Sequence, residues 1–81
     1  MQKKHSMQPL RDHALDTLQT YFDHMGDHEI SDLYTMVLQE IEIPLLQIVL
    51  QKTKGNRSKA AEMLGLNRST LRKKLNQYEL L

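Results

Sequence analysis

The run NRSKAAEMLGLNRSTLRKKLNQY at residues 56–78 carries two short helical patterns on either side of a glycine. Asn56 suits a helix start, because its side-chain oxygen accepts a backbone N–H that the first turn leaves unpaired. The helix it opens, Arg57–Leu64, turns Ala60, Ala61 and Leu64 inward, and the two alanines let a second helix cross closely. Gly65 ends that helix in the left-handed conformation that glycine tolerates best. Leu66 packs into the corner, and Asn67 caps a final helix, Arg68–Tyr78. On a helical wheel Leu71, Leu75 and Tyr78 share one face. Ser69, Thr70, Arg72, Lys73, Asn76 and Gln77 occupy the other, with Arg68 and Lys74 flanking. Two short helices around a glycine turn, with small residues at the crossing, predict a helix-turn-helix.

A helix that enters the DNA major groove needs base-reaching residues at its start, phosphate donors along its outer face and an apolar back. Residues 68–74 meet all three demands. Arg68 is placed to give guanine O6 and N7 a bidentate contact. Asn67 is both a cap and a ligand for a base or phosphate, and Thr70 suits a phosphate or a thymine methyl group. Arg72, Lys73 and Lys74 supply charge for the groove walls. Asn56 and Ser58, at the start of the preceding helix, have donors for a phosphate. The blander reading, a basic surface helix, explains residues 68–78 alone but leaves the glycine-turn unit before them without a purpose.

Upstream the pattern stays helical. Pro9 suits the first position of a helix, since its missing N–H has no partner there anyway. Leu10, Ala14, Leu15, Leu18, Tyr21, Phe22 and Met25 follow at steps of one, three and four, and Gly26 stops the pattern ahead of a polar loop, residues 26–30. Ser31 is the expected cap of a second helix running to about Thr53. Twelve of the eighteen residues from Leu33 to Leu50 are apolar or aromatic, so this helix is apolar nearly all round and needs more cover than a small monomer provides. A second copy of the same helix supplies it, and Leu33, Val37, Ile41, Leu45, Ile48 and Val49 are the expected dimer interface. Pro44 removes a hydrogen bond and clashes with the carbonyl of Glu40. The segment therefore either kinks or breaks; apolar spacing that persists through Ile48 favours one kinked helix, and Gly55 stops it.

Composition narrows the alternatives. Eighty-one residues allow one small domain, able to bury only about 60% of its unfolded surface. With no cysteine, disulfides and thiolate metal sites are excluded. His5, His13, His24 and His28 have no metal-ligand spacing, and His24 and His28 read as exposed loop residues. Oligomerisation is left as the source of extra burial. The net charge of +1 hides an asymmetry: residues 1–8 carry +2, residues 9–51 carry −7 and residues 52–81 carry +6. The basic tail is the part that meets a polyanion, and the acidic front stays clear of it. No apolar signal region follows Lys3 and Lys4, and the run from Ile41 to Leu50 is too short to span a bilayer. Without a secretory signal the two Asn-Arg-Ser triplets, at 56–58 and 67–69, are caps rather than glycosylation sites. The expectation is a cytoplasmic chain in three parts: a flexible leader 1–8, dimerisation helices 9–54 and a DNA-binding region 55–81. An opening Met1 with a polar leader reads as the start of a complete small protein. No nucleophile, acid–base pair or phosphate loop appears, so neither catalysis nor a cofactor is expected.

The residues Pro9-Leu10-Arg11-Asp12, Asp32-Leu33-Tyr34, Pro44-Leu45-Leu46, Gly55-Asn56, Asn67-Arg68 and Thr70-Leu71-Arg72-Lys73-Lys74-Leu75 resemble the Fis family. Fis proteins, factors for inversion stimulation, are bacterial nucleoid-associated DNA-binding proteins. The resemblance spans residues 9–78. It implies an all-α, four-helix subunit in an intertwined homodimer with a C-terminal helix-turn-helix. It also implies double-stranded DNA partners with A/T-rich centres, recognition helices closer together than one turn of straight DNA, and a duplex bent to receive both. The family's DNA contacts fall on Asn56, Ser58, Asn67, Arg68, Thr70, Arg72, Lys73 and Lys74, with Ser58 in place of a threonine. Its RNA polymerase contact falls on Lys54, Gly55 and Arg57.

Two departures bear on what the resemblance implies. Only eight residues precede the matching region, where the family has an arm that stimulates DNA invertases. Asn76 and Gln77 stand where it has a lysine pair, which should flatten the salt dependence of binding. The tail alone also looks like the DNA-binding domain of NtrC-type activators. A protein-interaction module, with the basic helix docking an acidic partner, is the rival reading.

Overall fold

A computed structural model describes residues 6–81, which form four helices and, among the described residues, no strand. The described residues fall into two compact units that divide between Ser31 and Asp32. The first holds α1 (Gln8–Met25), with Pro9 in its opening turn. Of the expected leader, residues 1–5 lie outside the described residues, Ser6 Oγ accepts the Gln8 N–H at 3.0 Å, and Gln8 is already helical. The Tyr21 and Phe22 rings pack edge to face, 5.8 Å between centroids. Gly26 ends the helix at φ +60°, and His24 belongs to the last turn of α1 rather than to the loop.

The second unit holds α2 (Leu33–Lys52), α3 (Arg57–Leu64) and α4 (Arg68–Gln77). Its α2 runs unbroken through Pro44, so the segment is one helix. The expected cap at Ser31 is displaced by one residue: Asp32 takes the N-cap position in the left-handed conformation at φ 56° and makes no side-chain capping bond. Aspartate tolerates that conformation better than most residues, so the chain turns there. By length and composition α2 is apolar enough to cross a bilayer, beyond what the run Ile41–Leu50 alone suggested. Its Leu46 and Val49, however, join Ala60, Ala61, Leu71 and Leu75 in the core, the arrangement of a helix in a folded unit.

That core is built from one turn of α2, the alanine face of α3 and the leucine face of α4. Ala60 and Leu75 are fully buried and Leu71 is 1% exposed; each leucine contributes about 1.5–3 kcal/mol relative to exposure. Leu50, Leu64, Tyr78 and Leu80 pack around them. All three helices close alike, with a residue beyond the end donating its N–H to the carbonyl five residues back. Gly55 donates to Leu50 O, Leu66 to Ala61 O and Leu80 to Leu75 O, at 2.8, 3.0 and 2.8 Å. The left-handed residue each closure requires is Lys54 (φ 54°), Gly65 (φ 75°) and Glu79 (φ 56°). The stop expected at Gly55 is thus shared with Lys54.

Candidate nucleic-acid interface

The helix-turn-helix is α3, the turn at Gly65 and α4. Leu71 and Leu75 fasten α4 to the core, which leaves Asn67, Arg68, Ser69, Arg72, Lys73, Asn76 and Gln77 exposed and Thr70 half-buried. Both expected caps form. Asn56 Oδ1 accepts the Lys59 N–H at 3.1 Å, and Asn67 Oδ1 accepts the Thr70 N–H at 2.8 Å. Asn56 and Ser58 are exposed at the start of α3. Seven of the eight expected DNA contacts therefore lie at a helix start or on the open side of α4.

Lys74 is placed differently. Its Nζ lies 2.7 Å from Glu42 Oε2, with each side chain 29% exposed. Glu42 Oε1 accepts the Tyr78 hydroxyl at 2.5 Å. One carboxylate of α2 thus binds two side chains one turn apart, Lys74 on α4 and Tyr78 at its C-cap, where the helix ends one residue before the expected Tyr78. The Lys74 ammonium, and after it the Tyr78 hydroxyl, holds the Glu42 carboxyl below its ordinary value of 4.5. In return the hydrogen bond to Glu42, with burial and the carboxylate charge behind it, raises the Tyr78 phenol from 10.0 to about 12. Sequence reasoning sorted Glu42 into an acidic front that stays clear of DNA, with no partner in the basic tail; its position inside an apolar run was the available signal.

Lys54, Gly55 and Arg57, the expected polymerase contact, are exposed. Lys54 also lines an open groove with Lys52, Thr53, Lys59, Glu62 and Met63. Of the expected dimer residues, Ile41, Leu45 and Ile48 are exposed and Leu33 and Val37 are half-buried. Val49 is only 5% exposed and belongs to this chain's own core, because it lies three residues after Leu46 on the face turned to α3 and α4. The exposed stripe on α2 is instead Tyr34, Leu38, Ile41, Leu45 and Ile48, spaced alternately by four and three residues. Among the described residues no group of histidine, aspartate and glutamate is arranged to hold a metal ion.

Comparison with known proteins matches residues 37–78 to the bacterial regulatory proteins of the Fis family. A Fis-like DNA-binding protein of Pseudomonas aeruginosa is 54% identical over 91% of this chain and 71% of its own length. The DNA-binding proteins Fis of Proteus mirabilis and Yersinia enterocolitica are 48% and 49% identical, each over 90% of this chain and 74% of their own. The matched segment holds the C-terminal part of α2, the glycine turn and the whole of α4, and the likeness to the three relatives extends over nine-tenths of the sequence; the chain belongs to the Fis family.

Proposed function

We propose that the protein is a homodimeric DNA-binding and DNA-bending transcription regulator and nucleoid organiser, with α4 seated in the major groove. The observation that carries this reading is the division of α4. Leu71 and Leu75 are buried to the last few per cent while Arg68, Arg72 and Lys73 stand in solvent beside the capping Asn67. Base-reaching residues at the start of the helix and cations along it are the arrangement a groove-reading helix needs. The exposed stripe from Tyr34 to Ile48 supports a dimer, since its alternation of four and three is the seam that packs one helix along another. In the dimer the first two helices of each subunit intertwine, the two α4 helices address one duplex with an A/T-rich centre, and the duplex bends to meet both. The parts are residues 9–54 for dimerisation and 55–81 for DNA, with Lys54, Gly55 and Arg57 facing RNA polymerase. Such a protein works in the cytoplasm on the bacterial nucleoid, as a regulator rather than an enzyme.

Titration of a duplex carrying an A/T-centred site and of a scrambled duplex, across a salt series, tests this. A steep salt slope with preference for the site is expected. Arg68→Ala should lose about 1–3 kcal/mol at the preferred site and relax sequence choice; equal loss on every sequence would make Arg68 a phosphate contact. Indifference to DNA at low salt would overturn the reading in favour of a protein-interaction module.

A further inference from the structure

Ser69 stands at the second position of α4, exposed, and its hydroxyl proton has a destination. Ser69 Oγ donates to Asn67 Oδ1 at 3.0 Å, and the same oxygen accepts the Thr70 N–H at 2.8 Å. A carboxamide oxygen has two lone pairs, and both are filled from within the first turn. The amide cannot be turned over, because its NH2 group would then face the Thr70 N–H donor to donor. The same Asn-Arg-Ser triplet opens α3 at residues 56–58. There Asn56 Oδ1 accepts the Lys59 N–H, and among the described residues no bond from Ser58 accompanies it. The second bond is therefore a property of α4 and not of the triplet.

The bond fixes a polarity. A free asparagine side chain donates or accepts according to its orientation, but Asn67 held in this way offers only its two N–H donors. Ser69, with its proton engaged, offers only lone pairs. We infer that Ser69 is a specificity-determining residue of the DNA interface: by closing the acceptor side of Asn67 it makes the pair read an acceptor beside a donor on one base edge. In the major groove adenine presents that pattern, as N7 and the N6 amino group. Guanine presents two acceptors, N7 and O6, so O6 would face the Ser69 lone pairs with no proton between them. Cytosine offers N4–H2 alone and thymine O4 alone, so each satisfies half of the pair. The inference rests on the DNA-binding reading above and adds the base that α4 selects beside Asn67.

The test is site selection from a randomised duplex pool with the wild-type protein, Ser69→Ala and Ser69→Thr, followed by titration of the selected sites. The wild type should enrich adenine at one position of each half-site. Exchanging that adenine for guanine, or for purine, which lacks the amino group, should weaken binding about five- to tenfold. In Ser69→Ala a water fills the place of the hydroxyl and turns to suit either base, so the adenine-to-guanine ratio should fall below about twofold. Ser69→Thr keeps the hydroxyl and should keep the ratio. Ser69 is exposed, so thermal unfolding of the variants should match the wild type and exclude a folding defect. A wild type that prefers its site while Ser69→Ala retains the full ratio sinks this inference alone. A wild type without preference for any site over scrambled DNA removes the specific DNA reading as well.

Discussion

The Lys74 ammonium lies 2.7 Å from the Glu42 carboxylate, so a cation of the DNA-facing helix is already held by an anion of the helix behind it. Tyr78 closes the same carboxylate from the other oxygen. Leucines 71 and 75 fix how deeply α4 sits, but apolar contact is non-directional. The two bonds from Glu42, at positions one helical turn apart, fix its rotation. The residue that orients the recognition helix thus lies on α2, whose open face is the proposed dimer seam.

This pairing predicts unequal roles for neighbouring lysines. Lys73 is exposed, among the described residues makes no ion pair, and should release a counterion on binding DNA. Lys73→Ala should therefore reduce the salt slope by about 0.9. Lys74→Ala should reduce it by clearly less, because its charge is already matched by Glu42. Glu42→Gln should do the reverse: it frees Lys74 for phosphate, steepens the slope and costs about 0.5–1 kcal/mol of stability, the range of partly exposed ion pairs. Salt-dependent titrations with the three variants decide the matter; equal slopes for Lys73→Ala and Lys74→Ala would refute the pairing in the complex.

The same cluster predicts two edges in the pH dependence of stability. The folded Glu42 carboxyl titrates below its ordinary value of 4.5, so its contribution is present above that value and is lost as pH falls through the lower folded one. The folded Tyr78 phenol is raised from 10.0 to about 12, so its contribution is present below pH 10 and is lost as pH rises through about 12. Thermal midpoints of the wild type should exceed those of Glu42→Gln across the plateau between these edges and converge with them at both ends. In absorbance at alkaline pH, a phenolate component near 12 should disappear in Tyr78→Phe.

Helix ends give a third prediction. Lys54 carries the left-handed conformation that ends α2, at φ 54°, a state that costs an L-residue about 1–2 kcal/mol. Glycine avoids that cost but loses more chain entropy on folding. Lys54→Gly should therefore stabilise the subunit by about 0.5–1 kcal/mol. Gly65→Ala should do the opposite, by about 1 kcal/mol. A Cβ at Gly65 would meet nothing within 4 Å, so the penalty there is one of backbone conformation alone. Denaturant midpoints at constant slope measure both.

What the sequence made legible is what local chemistry determines. Asn56, Gly65 and Asn67 act on their own neighbours, and Leu71 with Leu75 repeat at a helical period, so the helix-turn-helix and its two caps could be read directly. Glu42 could not, because Tyr78 is 36 residues away and the reach between them depends on how α2 crosses α4. Val49 was misplaced for a related reason. In a helix apolar nearly all round, periodicity does not say which face is inward, and only the position of Ala60 and Ala61 settles it. The Ser69 bond is a rotamer choice, which the identical triplet at 56–58 leaves open.

The seam on α2 yields the fourth prediction, and it turns on two adjacent residues. Ile48 is 54% exposed and Val49 is 5% exposed, so a charge has opposite meanings at the two positions. Glutamate at 48 leaves the core of Leu46, Val49, Ala60, Ala61, Leu71 and Leu75 untouched but places two like charges across a two-fold seam. Ile48→Glu should therefore stay helical and sediment as a monomer near 9.5 kDa, whereas the wild type should sediment at twice that mass. Glutamate at 49 buries an unpaired carboxylate among those side chains, a burden of several kcal/mol that a small core cannot carry. Val49→Glu should lose helicity and cooperative unfolding altogether. In the proposed dimer two α4 helices address one duplex, so Ile48→Glu should also lose most of its affinity for a full site while each subunit keeps weak binding at low salt. A wild type that is monomeric and folded at micromolar concentration would remove the seam and, with it, the paired reading of DNA.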